Sequence, residues 1–384
     1  MNVLIAQSGG PTPVINRSLQ GAVEQAVRLK GINHVYASRN GIEGILNEQL
    51  VLLEGRLAEL EQASLQPGSV LGASHYLLAD GDFERIIHRL EQLQVTIFCF
   101  IGGNGSSRMV KALHQLALSM GKNIRFVHIP KTIDNDLLGT DHTPGFASAS
   151  KLVSHMIQWI GMDMASMKAY DKVGIVEVMG GNAGWLAAAS ALGKKNASAY
   201  PQLVYMPKHE TDVEHFLAQL EEAYLSYGQV MAVIPDHIKF RNIQSDQAGN
   251  KQIRERLNTG ISGHLAAAVR ERLGLKTRVT APGVLYRCMS GMASRCDMTE
   301  AYRLGAEAVR FASEGLSGGM VRLRRVSNDP YYCDIEWIEL DDIAGKERYL
   351  PPEFWDAEQQ MPTRAFREYM LPLVDGQVPE PVSL

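Results

Sequence analysis

Short apolar runs alternate with longer amphipathic segments along most of the chain, and this narrows the fold to an α/β class with mainly parallel sheets. In the first part Val3 to Ala6, Val35 to Ser38, Val95 to Ile101 and Ile124 to Ile129 read as strands. Val14 to Leu29, Phe83 to Gln92 and Arg108 to Met120 carry apolar residues at three- and four-residue spacing and read as helices. The alternation continues with a helix from Ala147 to about Met167, a strand Val173 to Val178 and an alanine-rich helix Gly184 to Leu192. Leu203 to Met206, Val230 to Ile234, Thr277 to Ala281 and Met320 to Val326 are further strands, with helices at Val213 to Tyr227, Ile253 to Leu273 and Thr299 to Ser313. Val51 to Gln62 has the mixed charge of a solvated helix face and Ser245 to Lys251 the polarity of a loop, while the tail from Pro351 carries no clear element. A chain of 384 residues accommodates two lobes, at roughly 100 to 200 residues per domain.

A net charge of −4 and a pI near 6.3 supply no basic surplus for nucleic acid, so any anion site must be a local pocket. Cys99, Cys288, Cys296 and Cys333 have neither C-x-x-C spacing nor the density of a disulfide scaffold, and read as reduced thiols. The eleven histidines show no H-E-x-x-H or paired metal spacing, so no zinc site is expected. No basic leader precedes a long apolar stretch and no uninterrupted apolar run approaches about 18 residues, so we expect a cytoplasmic protein without a membrane partner.

The chemistry concentrates in Pro130 to Asp136, P-K-T-I-D-N-D, directly after a buried strand. In a parallel α/β sheet that position is the crevice at the carboxyl edge. Asp134 can take a proton from an attacking hydroxyl, and Lys131 offers a fixed positive charge to an oxyanion, as phosphoryl transfer requires. The same residue types also suit a capped turn. Gly9-Gly10 and Gly102 to Ser107 stand at strand-to-helix turns, where backbone amides can cradle an anion, although glycine suits such turns for conformational reasons alone. Neither cluster is a Walker A or G-x-G-x-x-G sequence.

Taken in order, A-Q-S-G-G-P-T-P-V-I-N at Ala6 to Asn16, G-G-N-G-S at Gly102 to Ser106, P-K-T-I-D-N-D, V-E-V-M-G at Val176 to Gly180 and N-A-G-W-L-A-A-A at Asn182 to Ala189 resemble the 6-phosphofructokinase family. The likeness runs from Val3 to about Met320, with wording closer to the pyrophosphate-dependent branch. It implies two Rossmann-like three-layer lobes: residues 1–146 and 286–384 for the phosphoryl donor, 147–285 for the sugar phosphate. It further implies an active site between the lobes, Mg2+ as cofactor and a homodimer or homotetramer.

By this resemblance Asp134 is the base that activates the sugar hydroxyl, supported by Lys131, Thr132 and Asp136. Gly9, Gly10, Gly103, Asn104, Gly105, Ser106 and His75 would hold the donor. Thr132, Asp134, Met179, Gly180, Gly181, Asp236, Arg278 and Arg287 would meet the acceptor sugar phosphate, with Lys172 reaching across from a neighbouring subunit. Departures accompany the matches. Asn104 replaces the usual metal-binding aspartate and is a weaker magnesium ligand, leaving Asp136 as a possible second one. Gly181 and His75 stand for arginines, Asp236 for a glutamate, and Val284 for His or Tyr. Lys131 goes with pyrophosphate use and Gly105 with ATP, so the donor markers disagree. The expected activity is transfer from pyrophosphate to fructose 6-phosphate; an ATP-dependent kinase of a sugar phosphate and a catalytically weak regulatory paralogue are the alternatives.

Overall fold

The computed structural model describes residues 1–74, 76, 78–207, 211–241, 260–376 and 378–380. The chain forms two compact units, Met1–Ala149 with Arg287–Arg348, and Ser150–Tyr286 with Tyr349–Leu384. Both have the mixed α/β organisation expected.

The first unit is built on a seven-stranded sheet in the order Tyr331–Glu339, Gly319–Asn328, Arg125–Pro130, Val95–Gly102, Asn2–Gln7, His34–Ser38, Leu50–Leu52. The inner strands pair in parallel and each edge strand pairs antiparallel. Successive side chains of a strand point to opposite faces, so each central run feeds two cores. Val3, Ile5, Ile97, Cys99, Ile101 and Val127 pack with the helices Ile15–Arg28 and Arg295–Ser313. Leu4, Ala6, Phe98, Phe100 and Phe126 pack with Asp82–Gln92 and Asn104–Ser119. Burial on both faces is why these strands read as continuous apolar runs.

Helices Ile15–Arg28 and Arg295–Ser313 cross in very close contact. A Cβ on Gly21 would lie 1.9 Å from the Tyr302 carbonyl oxygen, and one on Gly305 would lie 2.0 Å from that of Ser18. Backbone cannot yield as a flexible side chain can, so Gly305→Ala must separate the helices and loosen the core beneath them. We expect a loss of at least about 1–3 kcal/mol in the free energy of unfolding, read from denaturant melts. Unchanged stability would contradict the close crossing.

The second unit carries a four-stranded parallel sheet in the order Thr277–Thr280, Val173–Val178, Val230–Pro235, Leu203–Val204. Helices Val213–Tyr227 and Ile261–Leu273 cover one face through Phe216, Leu217, Leu220, Leu265 and Val269. The tail corrects the expected division of the chain, because residues 349–384 belong to this unit. The physical reason is an aromatic cluster: the buried Trp185 ring lies 5.9 Å from Phe354, 6.4 Å from Phe366 and 5.8 Å from Tyr369. Such rings bury large apolar areas, which anchors the otherwise polar tail.

Other differences are local. The helix after Gly102 starts at Asn104, four residues before the expected Arg108, because Gly103 supplies the extended N-cap and Asn-Gly-Ser-Ser forms the first turn. Val51 to Gln62 divides into the edge strand Leu50–Leu52 and the helix Leu57–Ser64. Tyr331–Glu339 is a strand whose alternating Asp334 and Glu336 disguise it, pairing with Arg324 and Arg322 across the antiparallel edge. The expected loop Ser245 to Lys251 and residues 253–259 of the expected helix lie outside the described residues. Among the described residues no helix is long and apolar enough to cross a membrane.

Candidate active site

P-K-T-I-D-N-D leaves the strand Arg125–Pro130 at its carboxyl end, beside the end of Val95–Gly102. The Lys131 amide continues that pairing by donating to the Gly102 carbonyl at 2.9 Å. The loop is then braced from within. Thr132 Oγ1 accepts from the Asp134 amide at 3.1 Å, and Asn135 Oδ1 accepts from the Thr143 amide at 3.0 Å. Asn135 holds φ 55°, a left-handed conformation that Asn tolerates better than most residues. The buried carboxylate of Asp297 closes the far end, taking the Gly145 amide at 2.9 Å and the Ser148 amide at 3.0 Å. The capped turn does not exclude the expected role, because the caps fix the backbone that presents Asp134.

Lys131 is a buried cation. It is 3% exposed, and its Nζ donates to the Gly10 carbonyl at 2.7 Å. Burial lowers its pKa to about 8; the nearby Asp134 and Asp136 resist that fall, while Arg287 adds to it. Gly9 and Gly10 face these cations closely. A Cβ on Gly9 would lie 3.4 Å from Lys131 Nζ, and one on Gly10 would lie 2.7 Å from a terminal Arg287 nitrogen. The expected nest is thus backed by an ammonium and a guanidinium, and Arg287 lies among the expected donor residues.

The second glycine cluster opens the helix Asn104–Ser119, so Gly103 to Ser106 present helix-start amides, where the dipole favours an anion. Asn104 Nδ2 donates to Asp136 Oδ2 at 2.8 Å, leaving its Oδ1 buried without a hydrogen-bond partner. Burial raises the pKa of Asp136, against the opposing Asn104 hydrogen bond. An unsatisfied carbonyl oxygen beside a half-buried carboxylate is a donor set suited to a hard cation. Below the loop, buried His128 holds the Gly102 carbonyl through Nε2 at 2.9 Å, and desolvation lowers its pKa to about 4, so it stays neutral. His75 lies outside the described residues.

In the second unit Met179, Gly180 and Gly181 follow the carboxyl end of Val173–Val178, and Asp236 follows the neighbouring strand Val230–Pro235. Burial raises the pKa of Asp236, against the opposing influence of the Gly181 backbone. Lys172 and Arg278 lie elsewhere. Lys172 precedes the same strand at its amino end, and Arg278 pairs in register with Gly174. At a strand rise of about 3.3 Å per residue, Gly174, level with Arg278, lies about 13 Å from Val178 at the carboxyl end of the strand, and Lys172 about 20 Å, with Met179–Gly181 beyond it. Arg278 Nε meets the buried Asp171 carboxylate at 2.7 Å, with Lys276 at 3.6 Å, while Lys172 Nζ donates to the Lys168 carbonyl at 2.9 Å. The expected acceptor residues of this unit therefore fall into two groups at opposite edges of its sheet.

The phosphofructokinase family profile matches residues 2–312. The chain belongs to the phosphofructokinase family. It is 33% identical to the pyrophosphate–fructose 6-phosphate 1-phosphotransferase of Rhodospirillum rubrum, covering all of this chain and 96% of the relative. It is 32% identical to the sulfofructose kinase of Alkalicoccus urumqiensis, over 98% of this chain and 96% of that one. Relatives named ATP-dependent 6-phosphofructokinase match at 26–27%. The crystal structure of the pyrophosphate-dependent phosphofructokinase of Marinobacter aquaeolei superposes with a TM-score of 0.88 at 30% identity, covering all of this chain and 93% of that chain. The phosphofructokinase fold accounts for the two sheets and for the polar loops at their carboxyl edges.

Within this family member, the pairings that the sequence conceals are Arg287 against Gly10, Asn104 against Asp136, and Asp297 under the reactive loop. None has a short-range signature, since each joins segments distant in the chain. Gly181 holds φ 57°, the region that favours glycine, so an arginine restored there would carry backbone strain of roughly 1 kcal/mol.

Proposed function

We propose that this protein transfers a phosphoryl group from pyrophosphate to a hydroxyl of fructose 6-phosphate, yielding fructose 1,6-bisphosphate and phosphate. The observation that carries the donor assignment is Lys131, whose buried ammonium rests on Gly10 in the first glycine turn. The amides of Gly9–Gly10 and the helix start at Gly103–Ser106 would hold pyrophosphate, and Lys131 and Arg287 would offset the charge gathering on the departing phosphate. Similarity to proteins named as pyrophosphate-dependent, at higher identity than those named as ATP-dependent, supports the same donor.

Asp134 would take the proton as the sugar oxygen attacks phosphorus and the bridging P–O bond breaks. Its position in a loop capped by Thr132 and Asn135 limits the reorganisation needed. Asn104 Oδ1 and the Asp136 carboxylate fit Mg2+, which when bound would neutralise donor oxygens. Asn104 brings an oxygen without a charge, so affinity for the ion should depend strongly on the pyrophosphate itself.

For the acceptor, Met179, Gly180, Gly181 and Asp236 would contact the sugar, and Lys172 and Arg278 its phosphate. One acceptor held against Met179 cannot also touch Lys172 and Arg278 of the same sheet, given their opposite edges, so both cations would act from a second copy of the chain. Arg278→Ala should weaken fructose 6-phosphate binding by about 1.5–3 kcal/mol, seen as a raised KM. At subsaturating fructose 6-phosphate, mixed oligomers of Arg278→Ala with Asp134→Asn should exceed the activity of either variant alone, because some sites then receive both intact residues. No recovery in mixed oligomers shown to form would contradict the shared arrangement. Likeness to a sulfofructose kinase supplies a second reading of the acceptor. A kcat/KM for sulfofructose above that for fructose 6-phosphate would establish it.

A further inference from the structure

We propose that His142, Cys296 and Glu300 form a binding site for a divalent transition metal of zinc's class, separate from the pyrophosphate site. The three groups lie in the first unit and their ligand atoms all fall within 4.8 Å of one another. His142 Nε2 is 2.8 Å from Glu300 Oε2, and Cys296 Sγ is 3.2 Å from the same oxygen. Cys296 and Glu300 share one face of the helix Arg295–Ser313, four residues apart, while His142 belongs to the loop that continues P-K-T-I-D-N-D.

What separates this cluster from an incidental contact is the support behind two of its three ligands, His142 and Glu300. Asp141 Oδ2 holds His142 Nδ1 at 2.8 Å, and Arg325 holds Asp141 at 2.9 Å, so the ring is oriented with Nε2 toward the helix. Tyr331 donates its hydroxyl to Glu300 Oε1 at 2.7 Å, fixing that carboxylate with Oε2 toward the histidine. Oriented imidazole backed by a carboxylate, with a second carboxylate held by an outer hydroxyl, is the arrangement that tunes transition-metal sites. An imidazole, a thiolate and a carboxylate together prefer zinc or cobalt to magnesium.

Binding would replace the proton that Nε2 shares with Glu300 and the thiol proton of Cys296, releasing both to solvent. Two anionic ligands then balance the 2+ charge, and Cys296 is the half-buried member of the three. The metal would join the helix to the loop whose other end carries Asp134, giving that loop a fastening independent of substrate. Histidine spacing in the sequence gives no sign of this, since His142 and Glu300 are 158 residues apart.

The test uses the full chain, reduced and stripped with chelator, titrated with Co2+ alone and followed by absorption, with Zn2+ uptake measured by equilibrium dialysis. One metal ion per chain and a thiolate-to-cobalt charge-transfer band are expected. The band should disappear in Cys296→Ser and persist in Cys333→Ser. Tyr331→Phe should weaken Zn2+ binding by about 10- to 100-fold while keeping the band at saturating Co2+, a variant that serves should Cys296→Ser not fold. No thiolate band in the wild-type chain, the same band in Cys296→Ser, or wild-type Zn2+ affinity in Tyr331→Phe would overturn the proposal.

Discussion

Asp134→Asn is expected to lower turnover by about 10²- to 10⁴-fold, the usual contribution of a positioned general base. Asparagine matches aspartate in size but cannot accept the hydroxyl proton. The Thr132 hydroxyl that braces this loop bonds the Asp134 backbone amide, so the brace survives the substitution. The Thr143 amide bonded to Asn135 and the Asp297 carboxylate under Gly145 are also untouched. Pyrophosphate and fructose 6-phosphate should therefore bind with nearly unchanged affinity, and the loss should fall in kcat. Calorimetric binding beside steady-state kinetics separates the two effects, and a variant retaining most of its turnover would remove Asp134 from the role of base.

Lys131→Met should cost the enzyme about 10- to 100-fold in its use of pyrophosphate, the value of one charge-assisted phosphate contact of about 1.5–3 kcal/mol. Methionine keeps most of the buried stem and removes the ammonium, so acceptor affinity should stay close to the original. The pH dependence gives this prediction a second readout. In the folded free enzyme burial brings the Lys131 pKa from 10.5 down to about 8, so its positive charge is lost as pH rises through about 8. Donor affinity should fall over the same range, displaced upward to the extent that bound pyrophosphate favours the ammonium.

Stability should move the other way. The unfolded chain keeps its lysine protonated to about pH 10.5, so between about 8 and 10.5 it binds more protons than the folded one. The cost of burying the charge, on the order of 3 kcal/mol, is present in full below about pH 8 and is relieved as pH rises toward 10.5. Both trends should be absent from Lys131→Met. A wild-type enzyme whose pyrophosphate affinity is flat across this range, with the variant behaving alike, would show that Lys131 does not hold the donor.

The strands and the reactive loop were legible because a run such as Arg125–Pro130, buried on both faces, must be apolar throughout, while the residues just past it must be polar. The glycine turns were legible as turns because tight strand-to-helix connections favour glycine. Local pattern failed where partners come from far along the chain. Arg287 was expected at the acceptor, but the fold sets it against Gly10 in the expected donor turn. Arg278 was expected, by the resemblance, to meet the acceptor phosphate, yet its pairing with Gly174 is what moves it to the edge away from Met179. The tail was expected with the donor lobe because Phe354, Phe366 and Tyr369 are too widely spaced to suggest the cluster they make with Trp185. Asn104 could be seen as a departure; that its amide bonds Asp136 and leaves one oxygen unsatisfied could not.

Initial rates of fructose 1,6-bisphosphate formation, measured on purified enzyme with Mg2+ and fructose 6-phosphate and with either pyrophosphate or ATP, test the central claim most directly. The account predicts turnover with pyrophosphate and a kcat/KM for pyrophosphate above that for ATP. Turnover with ATP and none with pyrophosphate would contradict the assignment of Lys131 and the glycine turns to pyrophosphate, and no turnover with either donor would contradict catalysis at Asp134.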